Sequence, residues 1–255
     1  GGADLSWASA INDAGQVVGG SLATTGYRAV LWESDGTLLD LGDLPGGGDF
    51  SAAIAINASG QVVGYSYAET GFRAFLWTEA DGMIDLGDLP GGMDKSYAYA
   101  INDLGHVVGY SGTTTGDRAF LWTSDRGMQD LGDLPGGEDY SVAYGINNAG
   151  QVVGCSRDAT GDRAFLWTAD QGMRDLNLFL HANSGWTLQT AWAINTRGDI
   201  VGWGLHNGNI RAFLMVVPEP SSLSLLVLGL LLLLLRKCRL TRGRTHLGQV
   251  QNVPK

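Results

Sequence analysis

The stretch SAAIAINASGQVVGYSYAETGFRAFLWTEADGMIDLGDLPGGMD, Ser51 to Asp94, decides the fold. Ser51 to Ile56 is a short apolar run. Asn57-Ala58-Ser59-Gly60 then places Asn first and Gly fourth, as a type I turn prefers. The chain returns through Gln61 to Ser66, where Val62, Val63 and Tyr65 put apolar groups on both faces and so describe a strand covered on both sides. After a polar loop, Arg73 to Trp77 alternates Arg, Phe and Trp with Ala and Leu, the period of a strand. Asp81-Gly82 closes a second hairpin and Met83 to Leu86 supplies a fourth strand. Pro90-Gly91-Gly92 breaks the chain before anything further can pair.

The same text recurs. Ala-Ile-Asn-x-x-Gly-x-[Val/Ile]-Val-Gly begins at Ala10, Ala55, Ala100 and Ala193, with Gly145 in place of Ala in the fourth copy, and its isoleucines (Ile11, Ile56, Ile101, Ile146, Ile194) lie 45, 45, 45 and 48 residues apart. Arg28, Arg73, Arg118, Arg163 and Arg211 open a second block in the same register. This repetition accounts for the 39 glycines. Gly19, Gly64, Gly109, Gly154 and Gly202 fall inside a strand, where something must approach the backbone closely. One four-stranded sheet cannot bury both faces alone, so the units must stack. A period near 45 with four short antiparallel strands predicts an all-β repeat protein, a β-propeller with five copies visible; a solenoid of β-units is the competing architecture. The first unit begins inside the Pro-Gly-Gly-x-Asp loop at Gly1, and the fifth lacks a fourth strand after Met215. The expectation is a propeller incomplete at its N-terminus, whose last blade an upstream strand would complete.

Charge divides the chain. The net charge is −10 over 255 residues, and residues 1–235 carry 10 basic against 26 acidic side chains, a net of −16. No nucleic-acid partner fits such a body, since phosphate affinity comes from clustered Lys and Arg. Two cysteines cannot staple a chain of this length. All six basic residues after position 235 sit in a tail without acids. Before them, Leu223 to Leu235 is almost entirely Leu and Val, the pattern of a membrane helix. Ser221 to Leu235 would span about 22 Å as a helix, short of a ~30 Å hydrocarbon core, so a transient anchor is expected. Arg236, Lys237 and Arg239 set its C-terminal end in the cytoplasm by the positive-inside rule. The domain boundaries follow: repeats over 1–216, a Pro-Glu-Pro segment over 217–222, a hydrophobic helix over 223–235 and a basic tail over 236–255.

Candidate chemistry is sparse. His106 takes the slot of Gln16, Gln61 and Gln151; His181 and His206 belong to the atypical last unit; His246 lies in the tail, and no pair has metal-ligand spacing. No catalytic residue, cofactor site or metal site is assigned. Cys155 takes the slot of Gly20, Tyr65 and Tyr110, while lipidation is the one chemical role open to Cys238. Asp40, Asp43 and Asp49 recur as Asp85, Asp88 and Asp94 and as Asp130, Asp133 and Asp139 around the glycine-rich loops, which suits Ca²⁺ or turn capping. If Trp77 lies opposite Met83, Arg73 and Asp85 share a face, so Arg73–Asp85, Arg118–Asp130 and Arg163–Asp175 are expected as repeated ion pairs. The rival reading of Arg73 with Trp77 is an exposed sugar-binding pair. Asn57-Ala58-Ser59 matches a glycosylation acceptor, yet Asn57 is the turn residue of every unit.

Taken together, Ala-Ile-Asn-x-x-Gly-Gln-Val-Val-Gly, Arg-Ala-Phe-Leu-Trp and Asp-Leu-Gly-x-Leu-Pro-Gly-Gly resemble the HAF family of bacterial extracellular repeats over nearly all of 1–216. Asp175-Leu176-Asn177 with Ser184-Gly185-Trp186-Thr187-Leu188 looks like the C-terminal repeat of that family. Val217, Pro218, Glu219 and Pro220, the Leu-rich run and the basic stop cluster Arg236, Lys237 and Arg239 resemble the PEP-CTERM sorting signal of Gram-negative bacteria, although Thr245 to Pro254 extends past the usual end. These resemblances imply an exported, non-enzymatic surface or matrix protein. They also imply an inner-membrane stage, an exosortase-type sorting enzyme and exopolysaccharide as partners, and the outer envelope or matrix as destination. The alternatives are a polysaccharide lyase or hydrolase and a permanently anchored single-pass protein.

Overall fold

The computed structural model describes residues 5–216. The first sheet comprises β1 (Ser6–Ile11), β2 (Val17–Leu22), β3 (Tyr27–Trp32) and β4 (Leu38–Asp40). The second comprises β5 (Ser51–Ile56), β6 (Val62–Tyr67), β7 (Phe72–Thr78) and β8 (Gly82–Asp85). The third holds β9 (Ser96–Ile101), β10 (Val107–Gly112), β11 (Asp117–Thr123) and β12 (Gly127–Asp130), and the fourth β13 (Ser141–Ile146), β14 (Val152–Asp158), β15 (Gly161–Thr168) and β16 (Gly172–Asp175). A 3₁₀ turn at Leu176–Phe179 leads to the fifth, β17 (Trp186–Ile194), β18 (Ile200–His206) and β19 (Asn209–Met215). Every sheet is an antiparallel meander in chain order, four with four strands and the last with three among the described residues. The protein is therefore all-β, as the repeats require, and its succession of meanders is compatible with a propeller.

The turns form as the residue types dictate. In the second unit the Gly60 N–H donates to the Asn57 carbonyl at 3.1 Å, and Gly60 adopts a φ of 78°, the left-handed region where glycine is tolerated best. Trp77 lies opposite Met83 across the second hairpin, as expected.

Each first strand carries an extra, unpaired residue at the same repeat position: Ser9, Ile54, Tyr99, Tyr144 and Trp192 sit where the register shifts, and β17 shifts a second time at Gln189. Such a bulge bends the strand and re-aims a side chain. It also explains the mid-strand glycines. Gly64 pairs with Ala53 beside the bulge, and a Cβ there would collide with the Ala52 carbonyl oxygen; Gly19, Gly109, Gly154 and Gly202 meet the equivalent oxygen in their own sheets. The close approach is thus made by the partner strand, not by a neighbouring unit.

The units stack through two faces. One, the trailing face, is built from a valine of the second strand and the Ala-x-Leu of the third, such as Val63, Ala74 and Leu76. It packs on the leading face of the next unit, here Ala98, Val107 and Phe120. Val18, Ala29 and Leu31 meet Ala53, Val62, Phe75 and Trp77 in the same way, and Val153 and Ala164 meet Leu188, Ala191 and Ile200. Buried serines fasten the stack. Ser96 Oγ accepts from the Ala74 N–H at 2.9 Å and donates to the Gly87 carbonyl at 2.6 Å, joining unit two to unit three.

The motif at Val217, Pro218, Glu219 and Pro220, the helix expected over 223–235, Cys238 and the cluster at Arg236, Lys237 and Arg239 lie outside the described residues, as does the Gly1 to Asp4 loop. Among the described residues no helix is long and apolar enough to cross a membrane.

Candidate functional site

The five first-hairpin turns converge. Asn12 Nδ2 donates to the Asn57 carbonyl, Asn57 to that of Asn102, Asn102 to that of Asn147 and Asn147 to that of Asn195, at 3.0 to 3.1 Å. Asn195 turns instead to Asp199 Oδ2 at 2.8 Å. Each Asn Oδ1 meanwhile accepts two N–H groups of its own turn, as Asn102 does from Leu104 and His106. The amides are thus consumed in holding neighbouring units together. Because every turn has the same shape, the ladder brings all five to the rim of one pocket of about 410 Å³.

Behind the amide ladder, Ile56, Ile101, Ile146 and Ile194 line that pocket, and the residues following each Asn, including Asp13, Asp103, Asn148 and Thr196, supply its polar edge. Asp103 accepts from Asn148 Nδ2 at 2.7 Å and from the Ala58 N–H at 3.1 Å. The Asn148 amide foremost, then the Ala58 N–H, hold its carboxyl below the ordinary aspartate range.

Two residues before each pocket isoleucine stands the bulge position, and in the last three units it is aromatic. Tyr99 stacks with Tyr144 at 5.5 Å between ring centroids, and Tyr144 lies 4.4 Å from Trp192. Trp192 is 50% exposed, so this row of rings ends in an accessible indole face. Burial raises the Tyr99 hydroxyl to about 12 and lifts that of Tyr144 further still. Both are neutral hydrogen-bonding groups at any physiological pH. Cys155, buried against Tyr144 and Tyr140, has its thiol pushed up to about 11 by desolvation, which keeps it un-ionised and unreactive.

The repeated arginines do pair with aspartates, though not with those expected. β8 ends with Asp85 opposite Phe75, so Arg73 extends two residues beyond the last rung and reaches past it. Its guanidinium bridges Asp88, at 2.8 Å, and Asp94 in the linker to the next unit. Arg28 likewise joins Asp43 and Asp49, and Arg118 joins Asp133 and Asp139 at 2.7 and 2.8 Å. Asp85 and Asp130 cap turns instead, accepting from the Gly87 and Gly132 N–H groups. In the fourth unit, which lacks the Pro-Gly-Gly loop, Arg163 pairs with Asp158 at 3.1 Å, and Asp175 caps the 3₁₀ turn. Two of the three expected pairs are therefore replaced by forks that clamp a linker loop, and the third by the Arg163–Asp158 pair.

These forks bear on the other candidates. Asp43, Asp88 and Asp133 face guanidinium groups, and among the described residues no three acidic, His or Cys side chains are placed to hold a metal ion. Trp77 is 8% exposed and packed between units one and two, and so is a core residue without a face for a sugar. His106 sits at the turn as the glutamines do, and His206 stacks on Trp186 at 4.8 Å. Asn57 is buried within the ladder. Sequence reading missed the serine fastenings and the bulge aromatics; the signals were a serine recurring at Ser51, Ser96 and Ser141 and the pair Tyr99 and Tyr144 at one repeat position.

Among known families, one described as "Protein of unknown function (DUF3466)" matches residues 48–209, and the PEP-CTERM protein-sorting motif matches residues 216–239. Comparison with curated proteins finds no match. The sorting motif marks an exported protein that passes through a membrane-associated stage and is handled by an exosortase-type enzyme.

Proposed function

The chain belongs to the DUF3466 family, and from that membership together with its C-terminal sorting motif we propose that it is a non-enzymatic binding or scaffold protein of the cell surface or extracellular matrix. Its HAF-type units form a propeller-like stack that displays one recognition face, and the C-terminal segment holds the chain at the inner membrane until sorting releases it. The ligand class is exopolysaccharide. The observation that carries this reading is the row Tyr99, Tyr144 and Trp192, each two residues before an isoleucine that lines the pocket edged by Asp103, Asn148 and Thr196. Flat aromatic faces next to hydrogen-bonding groups suit sugar rings, which are apolar on one face and hydroxylated at the edge. The linker-loop carboxylates Asp88 and Asp94 are engaged in an arginine fork and Asp85 in a turn cap, which removes these acids from acid–base work and supports the scaffold reading.

The test is binding of the full chain to the polysaccharide of its own producing cells, followed by Trp fluorescence and by chain-length analysis of the polysaccharide. Binding that Trp192→Ala weakens at least tenfold with an unchanged melt, and with the polysaccharide left at its original length, is the expected result. Shortened chains, or binding indifferent to Trp192, would contradict it.

A further inference from the structure

The pocket at the first-hairpin turns carries charge of one sign. The residue after each ladder Asn lines it, and along the five units these are Asp13, Ala58, Asp103, Asn148 and Thr196. Two are carboxylates, and no Lys, Arg or His is among the described residues that line the pocket. Arg197, next in the chain after Thr196, turns instead to Asp199 Oδ2 at 2.7 and 3.0 Å, so its charge is matched by an acid of its own turn. Asp103 is the fixed point of the pocket's charge. It accepts from Asn148 Nδ2 at 2.7 Å through one oxygen and from the Ala58 N–H at 3.1 Å through the other, and its own N–H donates to Asn148 Oδ1 at 3.0 Å. Units two, three and four thus hold one exposed carboxylate in place, and each of its oxygens keeps a lone pair for a donor from outside. Asp13 is exposed too, and its carboxylate makes no hydrogen bond or ion pair among the described residues.

A concave site lined by one sign of charge concentrates ligands of the opposite sign and repels those of its own. The net charge of −16 over residues 1–235 reinforces that repulsion. A chain of uronic acids or sulfated sugars would meet Asp103 and Asp13 with no basic side chain to offset them. The aromatic row selects in the same direction by a different interaction. The faces of Tyr144 and Trp192, two residues before the pocket isoleucines Ile146 and Ile194, carry the negative part of the ring quadrupole and attract cations. We infer that the pocket takes a cationic sugar, an amino-sugar unit with a free ammonium group, within a polysaccharide chain. This inference rests on the carbohydrate reading of the site and narrows it. The ammonium donates to the open lone pairs of Asp103, a charge-assisted hydrogen bond of the stronger kind. The apolar face of the sugar ring meets the isoleucine side chains that line the pocket, among them Ile101 and Ile146.

Titration calorimetry of the full chain in mild detergent tests this with two probes of one backbone, the glucosamine hexamer and the N-acetylglucosamine hexamer, in mildly acidic buffer where the free amines are protonated. A hexuronate serves as the anionic counterpart. The glucosamine hexamer is expected to bind at least tenfold more tightly than the acetylated one, and the hexuronate not to bind. Asp103→Asn keeps the size of the side chain and removes its charge, so it is expected to abolish most of that preference while leaving the affinity for the acetylated hexamer unchanged. Asp13→Asn, at a side chain that bonds to nothing in the fold, is expected to reduce the preference with an unchanged melt, and added salt to narrow it. Failure of the glucosamine hexamer to bind, equal binding of the two hexamers, binding of the hexuronate, or a preference that survives both substitutions would overturn the inference. Each of those results leaves the carbohydrate reading standing if the polysaccharide of the producing cells still binds, and that reading falls if it does not.

Discussion

Asn57 Nδ2 donates to the Asn102 main-chain carbonyl, 45 residues away, at 3.1 Å. A turn residue that would serve only its own hairpin in an isolated unit here links that hairpin to the next, so one side chain sets both local shape and inter-unit register. Asn102 does the same toward Asn147 while accepting from Leu104 and His106. Asn102→Ala removes all three bonds at a buried site. It is expected to destabilise the stack by about 1–3 kcal/mol, read from urea unfolding. A change below a few tenths would show that the ladder is incidental.

The mid-strand glycines make a sharper steric prediction. Gly64→Ala forces a methyl group against the Ala52 carbonyl oxygen. The expected loss is about 1–3 kcal/mol, as for other overpacked interiors. Gly48→Ala, where a Cβ meets nothing, serves as the control and is expected to leave the melting temperature unchanged.

Arg118 reaches Asp133 and Asp139 from one planar guanidinium. Lysine keeps the charge but cannot span both carboxylates, so Arg118→Lys and Arg118→Ala are expected to fall close together, each costing about 1 kcal/mol at low salt. Added salt is expected to narrow the gap from the parent. Full rescue by lysine would show that charge alone, not the fork, holds the loop.

Alkali is expected to unfold the protein through its tyrosines. Tyr99 and Tyr140 hold their protons to about 12 in the fold, chiefly because burial disfavours the phenolate, against an ordinary value of 10.0, and Tyr110 and Tyr144 are also raised. Between those values the folded chain binds more protons than the unfolded one, so stability is intact below pH 10 and falls as pH rises toward 12. Absorbance of tyrosinate is expected to rise together with loss of the β-sheet signal. Complete tyrosine ionisation while the β-sheet signal is still intact would contradict this.

Much of this architecture was legible because each unit must satisfy the same local rules five times. Asn57 and Gly60 announce a turn wherever they stand, and the 45-residue spacing makes stacking unavoidable once both faces of Val62 and Val63 are apolar. The arginine partners were less legible. Pairing Trp77 with Met83 was right, but where β8 stops determines what Arg73 meets, and strand ends depend on the loop that follows. The bulge was hidden for a related reason: Tyr99 reads as one more alternating residue until the oxygen next to Gly109 forces the register to slip. The aromatic row was therefore invisible, since Tyr144 and Trp192 come together only through a bulge and a neighbouring unit.

Export and sorting through the C-terminal motif are followed, as we propose, by release of the chain. The most direct measurement is the intact mass of the mature protein recovered separately from the envelope and the medium of its producing cells. The expected result is a chain in the medium that lacks everything beyond Pro218, Glu219 and Pro220. A protein that retains its sequence through Lys255 and stays with the membrane would contradict it.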